Sequence, residues 1–422
     1  MIEKRNFPLI LLIIYFIIIL TTITKAQSIW EREHFSGSWY GIRTDLANKG
    51  IDLNAVYTGD VFSNIKGGLK RQTVYLDNID LTLNLNTEKL FNWPGGTIFI
   101  YGLGNQGKNP SKYIGDVQTV DNIAAHNTWK LYEAWIQQSF LKNRLSLLAG
   151  LYNLNSEFQV IESAKLFLNS SHGIGKAFSQ TGRNGPSIFP TTTLAFRIKF
   201  ELSNNFLVQN AVFNGTSGDP SNPNGTKITF PNHDGILSVT ELQYAINNQI
   251  ENENNLTGKF TAGLWLYSAK FPEVGTTYSD NKILNGNLGF YLMGEYKIFG
   301  DGGINDKGLN VFSRLGFSNS KINRFVSYLG FGVEYNGLFT GRNRDQLGLA
   351  FAGIYNGREY ISLQEKYNIK TASSEMNIEL TYLYNVLPWL SLQPDFQYVI
   401  HPDTNPMIKN ALAAGIRCVI NF

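Results

Sequence analysis

The chain ends with the stretch NALAAGIRCVINF, residues 410–422, which alternates up to a terminal phenylalanine. One face of this stretch carries Leu412, Ala414, Ile416, Cys418, Ile420 and Phe422, and the other carries Ala411, Ala413, Gly415, Arg417, Val419 and Asn421. Period-two alternation over this length predicts a β-strand. A terminal strand in a water-soluble sandwich would usually leave a frayed polar end. The stretch is instead typical of a strand that closes a membrane barrel, with Phe422 at the lipid boundary.

Similar alternation recurs in about sixteen segments after residue 50. The clearest examples are residues 192–201, 287–298 and 376–384. These segments run for roughly 9–12 residues, the length that a tilted strand needs to cross a bilayer. Their apolar faces often carry Tyr, Phe or Trp near an end, as interface girdles require, and their opposite faces mix charged and small residues, which a packed sandwich interior would not tolerate unpaired. The pattern predicts an all-β fold, an outer-membrane antiparallel β-barrel of about sixteen strands.

The first 26 residues have the layout of a secretory signal peptide. Lys4 and Arg5 precede an apolar run from Phe7 to Leu20, and a short polar stretch leads to Ala26. That run is about fourteen residues long, which is short for a spanning helix of ~20 residues. We expect cleavage after Ala26; the alternative is an uncleaved N-terminal anchor.

The composition fits an exported membrane protein that is not held together by disulfides. Aromatic residues make up 13% of the chain and charged residues only 16%, and Cys418 is the single cysteine. Loss of residues 1–26 would lower the net charge from +3 to +1. This balance gives no basic excess for binding nucleic acid.

The connections between the alternating segments differ in length. Residues 141–144, LKNR, form a tight turn, whereas residues 104–127, 153–191 and 214–235 form long loops. Short turns at one end and long loops at the other are expected of a barrel. Residues 27–50 precede the barrel domain, 51–422, and we expect a short amphipathic helix from Tyr40 to Lys49 that ends at Gly50.

Several blocks of the chain resemble the OprB-type carbohydrate-selective porins. The blocks are residues 30–71, 90–104 (LFNWPGGTIFIYGLG), 113–125 (YIGDVQTVDNIAA), 131–140 (LYEAWIQQSF), 166–173 (LFLNSSHG), 211–215 (AVFNG), 379–402 and 410–417 (NALAAGIR). The resemblance implies a sixteen-stranded, monomeric outer-membrane barrel that admits monosaccharides such as glucose by diffusion. It also implies that the N-terminal segment and inward loops narrow the channel. For barrels of this class, the C-terminal Phe422 would be recognised by the outer-membrane assembly machinery.

A sugar channel needs hydrogen-bonding side chains and aromatic faces at its narrowest point. Our candidate constriction residues are Arg43, Arg71, Glu133, Trp135, Arg197 and Glu295. Arg43, Arg71 and Glu133 lead because they lie in the blocks most like the OprB-type porins, and Trp135 is the candidate for stacking on the sugar ring. For each charged residue the alternative is structural: a brace within the barrel wall or a solvated lumen charge. For the tryptophans in general the alternative is a membrane-interface girdle.

The sequence offers little for catalysis. None of the five histidines lies beside a serine and aspartate with triad spacing, and no cluster has metal-ligand spacing. We therefore expect no enzyme activity and no cofactor or metal, and the expected partners are small neutral sugars and outer-membrane lipid. Two alternative functions stay open, a general-diffusion porin and a receptor or adhesin barrel without transport.

Overall fold

Sixteen antiparallel strands close into one barrel in the computed structural model, which describes residues 28–219, 221–229, 234–246, 257–275, 282–300 and 307–422. The strands are β1 (Ile51–Lys66), β2 (Thr73–Asn86), β3 (Gly96–Gly107), β4 (Thr128–Phe140), β5 (Leu145–Tyr152), β6 (Thr193–Glu201), β7 (Phe206–Asn214), β8 (Ile236–Ile246), β9 (Gly258–Pro272), β10 (Ile283–Gly300), β11 (Gly308–Ser318), β12 (Phe325–Asn336), β13 (Gln346–Asn356), β14 (Ser374–Leu387), β15 (Leu390–Ile400) and β16 (Ala411–Asn421). The predicted barrel and its strand number are confirmed.

The two faces of each strand follow the alternation in the sequence. On β10, Leu288 and Phe290 are exposed on the lipid side, whereas Tyr291 and Met293 are buried on the lumen side. On β14, Ile378 is exposed and Glu379 is fully buried. The apolar side chains face the lipid and the charges face inward, so period-two patterning alone sets the orientation of the wall.

The barrel is closed by the terminal strand. β16 pairs with β1 in antiparallel register, and this pairing places Arg417 opposite Asp60 and Cys418 opposite Gly59. Closure leaves no open sheet edge within the membrane, so the strands' backbone groups are paired without help from water.

The longest connections lie together at one end of the barrel. The turn at residues 141–144 joins β4 to β5 as predicted, and the three longest connections join β3 to β4 (108–127), β5 to β6 (153–192) and β7 to β8 (215–235). Long loops mark the extracellular end of such a barrel, and short turns together with the two chain termini mark the periplasmic end.

The helices of the described residues are short and belong to the N-terminal segment and to connections between strands, not to the barrel wall. The α-helices are α1 (Ile42–Asn48), α2 (Thr87–Phe91), α3 (Ser111–Ile114), α4 (Ser170–Gly173), α5 (Lys176–Ser179) and α6 (Arg358–Lys366), and single 3₁₀ turns occur at Trp39–Gly41, Leu154–Ser156, Ser163–Leu166 and Pro402–Thr404. In the part of the chain that the structure describes, no helix has the length and apolar character needed to cross a membrane.

The N-terminal segment packs against the end of the terminal strand. Its predicted helix is present as α1, and the signal peptide proposed for residues 1–26 lies outside the described residues. The Phe35 backbone N–H donates to the Asn421 carbonyl (2.7 Å), and the Phe35 ring meets the edge of the Phe422 ring at 5.6 Å. Arg43 donates to the Phe422 carbonyl (2.6 Å) and to the Leu53 carbonyl (3.2 Å).

These contacts predict that Phe422 matters for completing the barrel. We expect Phe422→Ala to lower the yield of folded barrel in the outer membrane while export continues, because the variant loses both the lipid-boundary ring and the Phe35 contact. The matched control is Phe140→Ala, which removes another exposed phenylalanine at the periplasmic end, on β4. The amount of heat-modifiable protein in the membrane fraction is the measurement. Equal yields for the two variants would contradict a special role for Phe422.

Candidate functional site in the barrel lumen

Two loops leave the extracellular end and fold back into the barrel. Inner loop 1 is residues 108–127 and inner loop 2 is residues 153–192. Inner loop 2 starts beside β5, yet it bonds to side chains on β8, β11, β14 and β15, so it must cross the lumen. Its apolar side chains, including Phe158, Phe167 and Phe178, are buried there against the inward faces of the wall. The molecule's main core therefore sits inside the barrel.

Buried polar side chains of the wall hold inner loop 2 by its backbone. Arg314 on β11 donates to the carbonyls of Gln159 (2.7 Å), Ser171 (3.2 Å), His172 (2.9 Å) and Gly173 (3.2 Å). A charged donor fits this role because bonds to charged groups are the stronger ones, and each buried carbonyl needs a partner.

Wall carboxylates hold the backbone N–H groups of the same loop. Glu379 on β14 accepts from the amides of Leu168 and Asn169, and Glu241 on β8 accepts from the Gln159 amide. Across the lumen, the wall carboxylates thus bind backbone N–H groups of the loop and Arg314 binds its backbone carbonyls. Inner loop 2 is thus fixed at several points.

His172 of inner loop 2 is neutral at physiological pH. Burial, and next the charge of Arg314, lower the pKa of His172 to about 3. The approach of its Nε2 to Glu379, 3.8 Å, is therefore not an ion pair.

Inner loop 1 is held by strands β14 to β16. Glu375 on β14 accepts from the amides of Val117 (3.0 Å) and Gln118 (3.1 Å), and Gln397 on β15 donates to the Val120 carbonyl (2.7 Å). Arg417 on β16 reaches further along the same loop, where it donates to the side chains of residues 121 and 122. Both inner loops therefore use the charged faces that the sequence pattern pointed inward.

A cavity of about 510 Å³ lies between the two inner loops on the extracellular side. We call it the extracellular cavity. Its lining includes Asn78 and Asp80 of β2, Tyr101 of β3, Asn122 of inner loop 1, and Lys176 and Phe189 of inner loop 2. Asp80 accepts a hydrogen bond from the Tyr101 hydroxyl. The size falls within the ~300–1,000 Å³ typical of small-molecule sites.

Aromatic rings form a continuous row on the lumen side of the wall, and two of them, Tyr101 and Phe189, line the extracellular cavity. Phe99 stacks on Trp135 at 4.9 Å, Tyr101 meets Tyr132 edge-on at 4.9 Å, and Tyr132 approaches Phe189 at 6.3 Å. The rings of Phe99 and Tyr101 also meet edge-on, with their centroids 6.3 Å apart. Such rings offer flat apolar faces beside the polar groups of β2.

A β-bulge in β4 supplies one ring of this row. Strict alternation along residues 131–136 predicts that Tyr132 lies on the face opposite Glu133 and Trp135, and this prediction is wrong. Glu133 pairs with Tyr101 and Leu131 pairs with Gly102, so the register shifts past Tyr132. The extra residue lets Tyr132 and Glu133 both point away from the lipid, and Tyr132 is only 2% exposed.

A second cavity of about 510 Å³ lies toward the periplasmic ends of β8 to β13. We call it the periplasmic cavity. Lys259, Lys297, Glu295 and Glu334 contribute charges of both signs, and Glu162 of inner loop 2 forms part of its roof. Lys259 and Glu295 form an ion pair at 3.3 Å.

The six predicted constriction residues do not lie in one place. Arg43 lies at the periplasmic end on the Phe422 carbonyl, and Arg71 is exposed in the loop between β1 and β2 at the extracellular end. Arg197 is buried and binds Glu157, Ser146 and Gln137. None of these three arginines lines either cavity. The sequence could not show this, because the position of a residue in a strand pattern does not report its height along the barrel axis.

Glu133, Trp135 and Glu295 lie in the lumen, as does the buried Arg197 beside Glu157 of inner loop 2. Glu133 accepts from the amide of Asn153 (2.9 Å) and from the indole N–H of Trp135 (3.2 Å), so it anchors the start of inner loop 2. Trp135 belongs to the aromatic row. Glu295 accepts from the amide and hydroxyl of Ser163 (both 3.1 Å) and lines the periplasmic cavity. A role of these three in selectivity stays a prediction.

Sequence reasoning missed Asp80, Tyr101 and Lys176. The alternation within residues 96–107 does place Phe99 and Tyr101 opposite Ile98 and Ile100, so that signal was available. Lys176 belongs to a loop without periodicity, and nothing local predicts that it faces a cavity. Across the described residues, no group of three or more His, Cys, Asp or Glu side chains could hold a metal ion.

A family model and two curated porins are similar to this chain over most of its length. The family model for carbohydrate-selective porins of the OprB family matches residues 70–422. Porin B of Pseudomonas aeruginosa is 25% identical over 415 residues, which cover 90% of this chain and 89% of that protein. The putative porin QuiX of Acinetobacter baylyi is 23% identical and covers 95% of this chain and 96% of its own length.

Solved structures show the same fold. The high-pH structure of Pseudomonas putida OprB superposes with a TM-score of 0.84 at 24% identity, covering 94% of this chain and all (100%) of the other. The low-pH structure of the same protein gives a TM-score of 0.59 over 93% of this chain and 99% of the other, at 21% identity. Fold and family indicate a channel of the Gram-negative outer membrane rather than an enzyme. With most of its length matched by the family model, the chain belongs to the OprB family of carbohydrate-selective porins.

Proposed function

We propose that this porin passes small neutral carbohydrates, monosaccharides such as glucose among them, by facilitated diffusion through the extracellular cavity. The observation that carries the proposal is the pairing of aromatic faces with hydrogen-bonding groups in that cavity. Tyr101 and Phe189 present apolar rings beside the Asp80 carboxylate, the Asn78 amide and the Lys176 ammonium. A pyranose has an apolar face and a rim of hydroxyls, so both parts of the ring find partners.

The charges in the two cavities suit neutral solutes. Asp80 and Lys176 in the extracellular cavity, and the Lys259–Glu295 pair in the periplasmic one, supply donors and acceptors without a large excess of either sign. Transport also requires weak binding, because a solute that enters must leave again. A millimolar affinity corresponds to about −4 kcal/mol.

We expect Tyr101→Ala to reduce sugar selectivity. An aromatic contact contributes about 1 kcal/mol, so the variant should lower the rate for glucose relative to an uncharged non-sugar of equal size by about threefold to tenfold. Swelling of proteoliposomes in each solute is the measurement. Tyr244→Ala is the matched control, because Tyr244 is an exposed tyrosine on the lipid face of β8.

The same assay separates the alternatives. Equal rates for glucose and the non-sugar, unchanged by Tyr101→Ala, Glu133→Gln or Arg71→Ala, would make this protein a general-diffusion porin. No swelling in any solute, with folded protein in the vesicles, would favour a receptor or adhesin barrel.

We further propose that residues 1–26 are removed on export, that the barrel is a monomer and that Phe422 is presented to the assembly machinery. The N-terminal charge and hydropathy pattern supports the first of these, and the position of Phe422 at the end of β16 supports the last. The mass of the protein purified from outer membranes would test cleavage after Ala26, and native mass spectrometry would test the monomer. Crosslinking from position 422 during assembly would test the contact with the machinery.

A further inference from the structure

Six cations gather at the extracellular rim on the side where the barrel closes. Lys66 is the last residue of β1, Lys70 and Arg71 come from the connection between β1 and β2, Lys108 and Lys112 from the start of inner loop 1, and Lys409 from the connection between β15 and β16; all six are exposed. We call this group the basic rim. Six exposed charges of one sign on neighbouring loops produce a strong local potential.

Backbone hydrogen bonds fix the three connections side by side. The Gly68 amide donates to the Lys409 carbonyl (2.9 Å), and the amides of Leu69 (3.0 Å) and Lys70 (2.9 Å) donate to the Tyr113 carbonyl. The Lys108 amide donates to the Tyr75 carbonyl (3.0 Å). These backbone hydrogen bonds therefore hold the connections that carry the basic rim in one arrangement.

Carboxylates close to the basic rim are few. Residues 66–72, 108–115 and 405–410, all of them described, contain no Asp or Glu. Asp403, a few residues before Lys409, forms an ion pair with Arg324 at 2.8 Å. Asp77 faces the lipid on β2, one outward position nearer the membrane centre than Tyr75. Inner loop 1 continues with Asp116, which is buried. Within the three stretches themselves, no carboxylate cancels the positive charge of the rim.

The height of the basic rim matches the membrane interface. Tyr75, Trp129 and Tyr398 are exposed aromatics on the outer surface of β2, β4 and β15 near their extracellular ends. Such aromatics lie at the level of the lipid headgroups. Leu412 of β16 pairs with both Tyr398 and Lys66, so Lys66 lies in the same lateral row and on the same outward face.

We propose that the basic rim binds the phosphate groups of an anionic glycolipid in the outer leaflet. The cations attract the phosphate groups, and the aromatic side chains beneath them lie at the membrane interface. Lys66 points outward, so this side of the rim faces the lipid. Each Lys or Arg close to an anionic lipid surface strengthens binding by about fivefold. The site does not depend on which solute passes through the channel.

Binding of diphosphoryl lipid A to the full-length barrel in neutral detergent tests the proposal. The test variant is Lys66→Gln/Lys108→Gln/Lys112→Gln/Lys409→Gln. The matched control removes four exposed lysines from other loops of the same end, as Lys282→Gln/Lys321→Gln/Lys366→Gln/Lys370→Gln. We expect the test variant to bind at least about tenfold more weakly and the control to change little. Added salt should narrow the difference between test variant and parent because the cations are exposed.

Four outcomes would overturn the proposal. They are equal losses in the two variants, an unchanged affinity in the test variant, equal binding of dephosphorylated lipid A by the parent, and complete displacement of the lipid by inorganic phosphate, which would assign the rim to soluble anions. A heat-modifiable gel shift verifies that each variant is folded. If the fourfold variant fails to fold, Lys66→Gln/Lys409→Gln replaces it, with a loss of at least about fivefold expected and no loss counting against the proposal.

Discussion

Arg314→Met is expected to release part of inner loop 2 and widen the channel. The guanidinium binds four loop carbonyls from a buried position, and no methionine can replace those bonds. Each buried carbonyl left without a donor costs about 1–3 kcal/mol, so loss of the guanidinium destabilises the docked loop. Conductance follows the pore cross-section, so we expect it to rise roughly twofold to fivefold in planar bilayers, with loss of sugar selectivity.

The wall should survive this change because the strand pairing does not involve Arg314's side chain. Arg144→Met is the matched control, since Arg144 also binds two backbone carbonyls, those of Glu201 and Leu202, but in an exposed periplasmic turn. Arg314→Lys should give an intermediate result, because one ammonium cannot span both Gln159 and the residues near Ser171. Unchanged conductance in folded Arg314→Met would mean that the carboxylate anchors suffice.

Arg417→Leu is expected to weaken the closing seam of the barrel. Arg417 binds Asp60 through two nitrogens (2.7 and 3.0 Å) across the β1–β16 pair, and it also reaches Asp121 (3.3 Å) and Asn122 (2.8 Å) of inner loop 1. Burial, and next the Asp60 charge, raise the pKa of Asp121 well above its ordinary range, and the nearby Arg417 charge opposes that rise. Losing the cation leaves Asp60 buried and unpaired, a cost of about 3–5 kcal/mol.

The temperature at which the unboiled gel band moves to the boiled position measures this effect. We expect a clear drop for Arg417→Leu and a smaller one for Asp60→Asn/Arg417→Gln, which removes both charges and leaves groups that can still share a hydrogen bond. If the double variant were as weak as Arg417→Leu, the unpaired charge would not be the cause.

The fold was predictable because its signal is local. Alternation along β10 and β14 decides which side chains face lipid without reference to any other part of the chain, and the helix before Gly50 and the turn at residues 141–144 have equally local patterns. The inward direction of Arg314, Glu379 and Arg417 was predictable for the same reason.

The lumen site was not predictable in the same way, because its hydrogen bonds join residues that are far apart in the chain. Arg314 binds Gln159 across 155 positions, and Glu379 binds Leu168 across 211. No local pattern reports that a loop turns back into the lumen, so the sequence could not show that Arg314 and Glu379 anchor inner loop 2.

The sequence by itself determined a closed outer-membrane barrel, the lipid and lumen faces of its strands, and through its resemblance the porin family. The tertiary structure alone decided where the cavities lie, which charges hold loops, and that Tyr132 turns inward with Glu133. The physical reason is that a strand's orientation is set by the period of its own side chains. The path of a loop and the register past a bulge are set by hydrogen bonds to groups that only the closed barrel brings within reach.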